Sequence, residues 1–365
     1  MLRLLLLLLL AVSFSGTPAL AGNDDAFISL FDGTPEASKP EKKTAEDDDE
    51  DSIFSFLNFK SKKKDEAPKL NVADEKRLSP LEQSVKLAEK GDVNAQLLLG
   101  YSYLYGENGA KVDYDKAFEY YAKAAMQNDN VGLNNLGCLY YCGSDFGHNP
   151  AKAAILFEKA AKLGNAEATV NLAFILITGN GVVKDTAQAM DMFEKGAELN
   201  NPTAKFMLGY AYYTGRLRDR DYKKAAVLMK TAAEAKFDEA QYILALMYVN
   251  GLGLPQNYGN AVKYLKLAVS QGHVPAMMAL GDILARGEKY TKDLYTAHIM
   301  FNLAAVRGAP TAAEKRDAIE SKLKIDEVLQ AQAEAERFHE KPSDLTKYVD
   351  QTFGTDVRSY IDSAR

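Results

Sequence analysis

Both cysteines of this 365-residue chain and one of its four histidines stand close together, in the stretch Leu136-Gly137-Cys138-Leu139-Tyr140-Tyr141-Cys142-Gly143-Ser144-Asp145-Phe146-Gly147-His148. Such a cluster admits a disulfide, a metal site, a redox centre or plain packing. Two thiols and one histidine fall short of the four ligands zinc takes. Cys-x-x-Cys pairs and His-Glu-x-x-His spacing are absent. The other histidines, His273, His298 and His339, are scattered, and spacing sets no Ser, Cys or carboxylate partner beside any of them. Ser61-x-x-Lys64 and Ser321-x-x-Lys324 match the first element of the penicillin-binding pattern, but Ser-Asp-Asn and Lys-Thr-Gly are missing. One match sits in a charge run and the other on a polar-faced helix, so chance explains them. The reading is a non-enzymatic protein with no catalytic residue, no cofactor and no metal site.

The N-terminus resembles an export signal. Arg3 precedes a leucine run from Leu4 to Leu10, Gly16, Thr17 and Pro18 end the apolar stretch, and Ala19-Leu20-Ala21 fits the small-x-small cleavage pattern. Residues 1–21 are expected to be a signal peptide cut after Ala21, leaving no membrane span and a periplasmic or secreted location. A net charge of −6 gives no basic footprint for nucleic acid. Residues 22–80 are rich in Pro, Lys, Glu and Asp, with an acidic block at Glu46–Asp51 and a mostly basic one at Lys60–Lys64. That composition reads as a disordered, charged linker. Two apolar motifs interrupt it, Ala26-Phe27-Ile28-Ser29-Leu30-Phe31 and Ile53-Phe54-Ser55-Phe56-Leu57-Asn58-Phe59. They are either docking motifs, for a partner or for the protein's own groove, or remnants packed weakly on the domain.

From residue 81 to about 310 one pattern repeats. Leu99, Leu136, Leu172, Leu208, Leu244 and Leu280 recur at 37 and then 36 residues, each followed by Gly or Ala. Seven residues after each comes Gly106, Gly143, Gly179, Gly215, Gly251 or Gly287. A left-handed stop to a first helix accounts for that glycine. Asp113, Asn149, Asp185, Asp221, Asn257 and Asp293 form an N-cap column for a second helix. Four residues on, the column is Ala each time: 117, 153, 189, 225, 261 and 297. Gly91, Gly164, Gly272 and Gly308, with Asn128, Asn200 and Lys236, end the second helices. One helix pair cannot bury its own faces, so the units must stack. The fold class is all-α: an α-solenoid of six repeats over 81–310, a leading half-repeat at Leu81–Gly91, a C-terminal capping helix over 311–341 and a short helical tail at 342–365.

Ala-x3-Leu-Gly-x2-Tyr-x2-Gly, followed by Asp-x2-Lys-Ala and Ala-Ala-x2-Gly, resembles the Sel1-like repeat, a relative of the tetratricopeptide repeat, in its exported bacterial type. Leu208-Gly209-Tyr210-Ala211-Tyr212-Tyr213-Thr214-Gly215 is similar to it throughout. The resemblance implies an interaction scaffold whose first helices line a concave groove. By phase, that groove comprises Leu97, Tyr101, Tyr105, Asn134, Cys138, Tyr141, Cys142, Phe174, Thr178, Phe206, Tyr210, Tyr213, Tyr242, Leu246 and Asn250. These columns vary where the packing columns repeat, and they are aromatic and mostly uncharged, suited to an apolar protein or peptide partner. The alternative reading is that their Tyr and Phe only pack between neighbouring first helices. The implied roles are a periplasmic regulator or host-interaction factor, or an envelope or secretion-system assembly factor. Some Cys-rich relatives imply a β-lactam or peptidoglycan enzyme instead.

Cys138 and Cys142 then occupy two groove positions, i and i+4 on a first helix. Their Cβ atoms should lie about 5–6 Å apart, beyond the roughly 3.5–4.5 Å of a relaxed disulfide. Two free thiols are expected first, then a strained disulfide. The Cys-rich relatives bridge two helices, an arrangement this pair does not follow.

Overall fold

A computed structural model of the protein describes residues 78–142 and 148–343. The expected signal peptide, nearly all of the expected linker, the expected Gly143 stop and the expected tail beyond Ser343 lie outside the described residues. Among those residues there are fifteen α-helices and no strand. They fall into two compact units, up to Lys195 and from Gly196 onward. The first unit holds α1 (Pro80–Glu89), α2 (Val93–Tyr105), α3 (Tyr114–Met126), α4 (Asn130–Cys142), α5 (Pro150–Lys162), α6 (Ala166–Thr178) and most of α7 (Thr186–Glu198). The second holds α8 (Pro202–Thr214), α9 (Tyr222–Glu234), α10 (Asp238–Asn250), α11 (Tyr258–Ser270), α12 (Val274–Arg286), α13 (Leu294–Val306), α14 (Ala312–Glu320) and α15 (Ile325–Glu336). From α1 to α6 and from α8 to α14, each helix packs on the next. The architecture is the all-α solenoid that the repeats require.

The repeated columns set the helix ends. Gly106, Gly179, Gly215, Gly251 and Gly287 close first helices at φ between 67° and 75°, a region costly for a residue with a Cβ. Asp113, Asn149, Asp185, Asp221, Asn257 and Asp293 open second helices, their side chains accepting a backbone N–H at 2.9–3.1 Å. Each such cap is worth about 1 kcal/mol. A second cap column opens the first helices: Asp92, Asp129, Asn165, Asn201 and His273 accept from the residue three places on. The sixth member, Phe237, makes no side-chain cap. Its ring instead packs edge-on against Phe206 at 4.8 Å. The second helices end in left-handed residues at every expected place, including Asn128, Asn200 and Lys236 at φ 59°, 64° and 65°.

Packing explains the rest of the pattern. All six alanines of the Ala column are 0% exposed. A Cβ on Gly100 would come within 2.5 Å of the Tyr121 ring, so the first helix needs glycine there for the second helix's aromatic to close on it. Leu99, Leu136, Leu244 and Leu280 are buried beside these contacts.

The C-terminal end differs from expectation. One capping helix over 311–341 is replaced by α14 and α15, both lying on α13. The break falls at Ser321–Lys324, and the Lys324 N–H donates to the Glu327 carboxylate to restart the helix. Folding back lays both helices on α13 and leaves Ile319 of α14 and Val328, Ala331 and Ala335 of α15 buried. Beyond α15 the chain returns along the turns that end earlier second helices. Glu340 pairs with Arg307 at 2.7 Å, Lys341 N–H donates to Ser270 O at 2.9 Å, and Ser343 Oγ donates to Lys236 O at 2.7 Å.

Candidate protein-binding face

In the first unit the face is built on α2, α4 and α6. The thirteen residues of α2 place Leu97, Leu98, Tyr101 and Tyr105 within one arc of roughly 100°. Leu98, Tyr101 and Tyr105 are 45%, 43% and 48% exposed. The two tyrosine rings lie 4.7 Å apart and tilted. Desolvation lifts the Tyr105 hydroxyl above its usual range, reinforced by Cys138, Tyr101, Cys142 and Glu107. Tyr101 is raised by desolvation and then by Glu107, which is in hydrogen-bond contact with it. On α4, Cys142 is exposed and Cys138 and Tyr141 are half-buried. Both cysteines are free thiols. Burial pushes both thiols up, Cys138 well up, so neither is an activated nucleophile. Asn171 Nδ2–H donates to Cys138 Sγ at 3.7 Å and to Asn134 Oδ1 at 2.9 Å.

The expected face narrows as it passes these helices. Asn134 and Phe174 are buried, Phe174 standing edge-on to Phe193 at 5.3 Å. Thr178 is exposed, its hydroxyl donating to Phe174 O at 2.9 Å. Sequence phase also missed Leu98, which stands one place before the Leu column, where the next two repeats carry Asn135 and Asn171. A column that changes from apolar to polar between repeats was the available signal.

In the second unit the aromatics turn inward. Phe206 is 0% and Tyr210 4% exposed, against the groove exposure expected of them. Phe206 stacks on Tyr210 at 5.8 Å and meets Phe237 edge-on. Tyr210 continues to Tyr213, and Tyr213 to Tyr222, at 6.4 and 6.0 Å. The cause is Phe237: by giving up the cap it supplies a ring that closes over Phe206. Tyr213, Tyr242 and Leu246 are half-buried, and Asn250 is exposed.

Two of the four histidines do find carboxylates. His273 Nε2 lies 2.8 Å from Glu239 Oε2, both groups buried. His273 Nδ1 accepts the Ala276 N–H at 3.1 Å, so Nε2 carries the proton given to Glu239. The imidazole thus serves as helix cap and inter-repeat strut, with both nitrogens engaged. His298 is fully buried, 3.5 Å from Glu320. Thirty-four residues separate His273 from Glu239, nearly one repeat, a spacing visible only once the helices are stacked. Ser321 and Lys324 lie in the turn between α14 and α15, and Ser321 lines an open depression with Arg316 and Glu320. Among the described residues no cluster of three or more His, Cys, Asp or Glu could hold a metal, and no helix is long and apolar enough to cross a membrane.

The Sel1 repeat model matches residues 93–129, 131–165, 166–201, 202–237, 238–273 and 274–308. A Sel1 repeat protein from Oxalobacter formigenes is 24% identical with a TM-score of 0.53, over 62% of this chain and 97% of that one. A protective antigen present in uropathogenic Escherichia coli strains, displaying an SLR fold, is 22% identical with a TM-score of 0.49 over 78% of this chain. This chain spans 66% of that protein's length. An immunity protein from Pseudomonas aeruginosa is 24% identical with a TM-score of 0.35, over 53% of this chain and 75% of that one. No curated protein matches the chain. At such identities the likeness is one of fold.

Proposed function

The chain belongs to the Sel1 repeat family, and on that premise we propose that it is an exported, non-enzymatic scaffold that binds an apolar protein segment through the α2–α4 face. Sel1 repeats are commonly protein-interaction scaffolds and generally non-catalytic. The observation that carries the proposal is the half-exposed stripe of Leu98, Tyr101 and Tyr105. Large apolar side chains side by side on a surface mark contact sites, and tyrosine is enriched at interfaces. Export rests on the leucine run and the Ala19-Leu20-Ala21 pattern. Nothing in the His273–Glu239 pair argues for catalysis, since the cap and the strut use both ring nitrogens.

The test is recovery of partners from crosslinked envelope fractions by the wild type and by Tyr101→Ser/Tyr105→Ser. The double variant is expected to fold and to lose the partner. Recovery of the same partners at the same yield would remove this face from consideration. Cell fractionation checks export: the mature chain should start at Gly22 and leave the cytoplasm.

A further inference from the structure

The first-unit face has an apolar centre and an acidic edge. Leu98, Tyr101 and Tyr105 form the centre, with Cys142 on the neighbouring helix. Glu107 stands against Tyr101 just past the end of α2. Glu167, in the first turn of α6, is close enough for its charge to act on Cys138. Desolvation holds the Glu167 carboxyl above its usual range. The chain itself carries a segment of the complementary order. Ile53-Phe54-Ser55-Phe56-Leu57-Asn58-Phe59 is followed at once by Lys60-Ser61-Lys62-Lys63-Lys64. The other apolar motif, residues 26–31, is bracketed by Asp24, Asp25 and Asp32, charges of the same sign as the edge. Like charges brought together suppress a wrong pairing.

Building on the binding role proposed for this face, we propose that residues 53–64 dock on it in cis. The phenylalanines cover Leu98, Tyr101 and Tyr105, and the lysines face Glu107 and Glu167. The tether is then the resident occupant, and an external partner must displace it. Reach is no obstacle. Twenty residues separate Phe59 from Ser79, the cap of α1, and extended they span up to about 70 Å. A thirteen-residue helix such as α2 is only about 20 Å long. A tether of this kind gives an effective concentration on the order of 1 mM. Docking with an intrinsic constant of about 0.1 mM would therefore leave the face open roughly one-tenth of the time.

Cys142 and Cys138 report on that cover. The full chain is labelled under native conditions with 5,5′-dithiobis(2-nitrobenzoic acid), and the rate is followed for wild type and for Phe54→Ser/Phe56→Ser/Phe59→Ser. The variant should react about 10-fold faster, and raised salt should speed the wild type but not the variant. Phe27→Ser/Phe31→Ser should match wild type. Equal rates in wild type and the triple variant overturn the proposal, as does equal acceleration by the Phe27/Phe31 variant. Wild-type protection that grows with protein concentration would assign the cover to a second copy and overturn docking in cis. The partner-recovery experiment fails separately: loss of partner in Tyr101→Ser/Tyr105→Ser with unchanged labelling rates sinks only the self-docking, whereas faster labelling with no partner lost sinks only the scaffold reading.

Discussion

Phe206 and Tyr101 occupy groove columns by sequence phase, yet the fold treats them oppositely. Phe206 is 0% exposed, stacked on Tyr210 and met edge-on by Phe237, while Tyr101 is 43% exposed. Truncating a fully buried Phe to Ala costs about 3–5 kcal/mol through lost transfer energy and the cavity left behind. At roughly 2–4 °C per kcal/mol for a domain of 150–250 residues, Phe206→Ala should lower the melting temperature by about 6–20 °C. Tyr101→Ala removes a side chain that already meets water on one side and should cost less than about 1 kcal/mol. The assay is thermal and denaturant unfolding followed by circular dichroism, with both variants side by side. A solenoid is stabilised by nearest-neighbour interfaces, so the Phe206 loss should appear first in the second unit, as faster hydrogen exchange in α8 and α10. A Phe206→Ala protein that melts with the wild type would refute the burial argument and return Phe206 to the groove. Loss of a partner by Phe206→Ala would be no evidence for contact, because unfolding explains it equally well.

Three further outcomes follow from the same geometry. Lys236 holds a left-handed conformation at φ 65° where four other repeat ends use glycine; Lys236→Gly keeps the carbonyl that Gln271 and Ser343 donate to and should stabilise by roughly 0.5–1 kcal/mol, read as a higher urea midpoint. Gly100→Leu forces a side chain into the Tyr121 ring and should cost about 1–3 kcal/mol or more, whereas a Gly91→Ala change meets no neighbour within 4 Å and pays only the strain of φ 92°. Burial raises the Tyr120 hydroxyl to about 12 and Tyr121 further still. Folding thus favours the neutral phenols, and their contribution is intact below pH 10, where the unfolded tyrosines are also neutral; it is lost as pH rises from about 10 through 12. A spectrophotometric titration at alkaline pH should show these two ionising only as helicity falls. Ionisation of every tyrosine near pH 10 with helicity intact would contradict it.

What the sequence made legible was whatever must be the same at every junction. The second-helix caps, the left-handed stops and the Ala column face nearly identical neighbours from repeat to repeat, so repetition in the chain records them. The face does not repeat, and phase alone assigned it. Phase fixes the direction in which a side chain leaves its helix, but burial depends on what the adjacent repeat brings opposite. Tyr101 and Tyr210 share a column and a direction, yet Tyr101 is 43% exposed and Tyr210, stacked on Phe206, only 4%. Opposite Phe206 stands Phe237, a ring in a slot where other repeats carry Asp, Asn or His. That one exception in a cap column, where a residue that cannot cap replaces those that can, was the signal in the chain that the column around Phe206 is packed rather than open. The Glu239–His273 pair teaches the same point in reverse. His273 is also a departure from Asp and Asn in that column, and its partner lies on the preceding first helix. In a repeat array, then, departures within an otherwise fixed column locate where neighbouring repeats have become specific to each other. The first repeats keep the ordinary caps Asp92 and Asp129, and it is there that Leu98, Tyr101 and Tyr105 remain uncovered by the array.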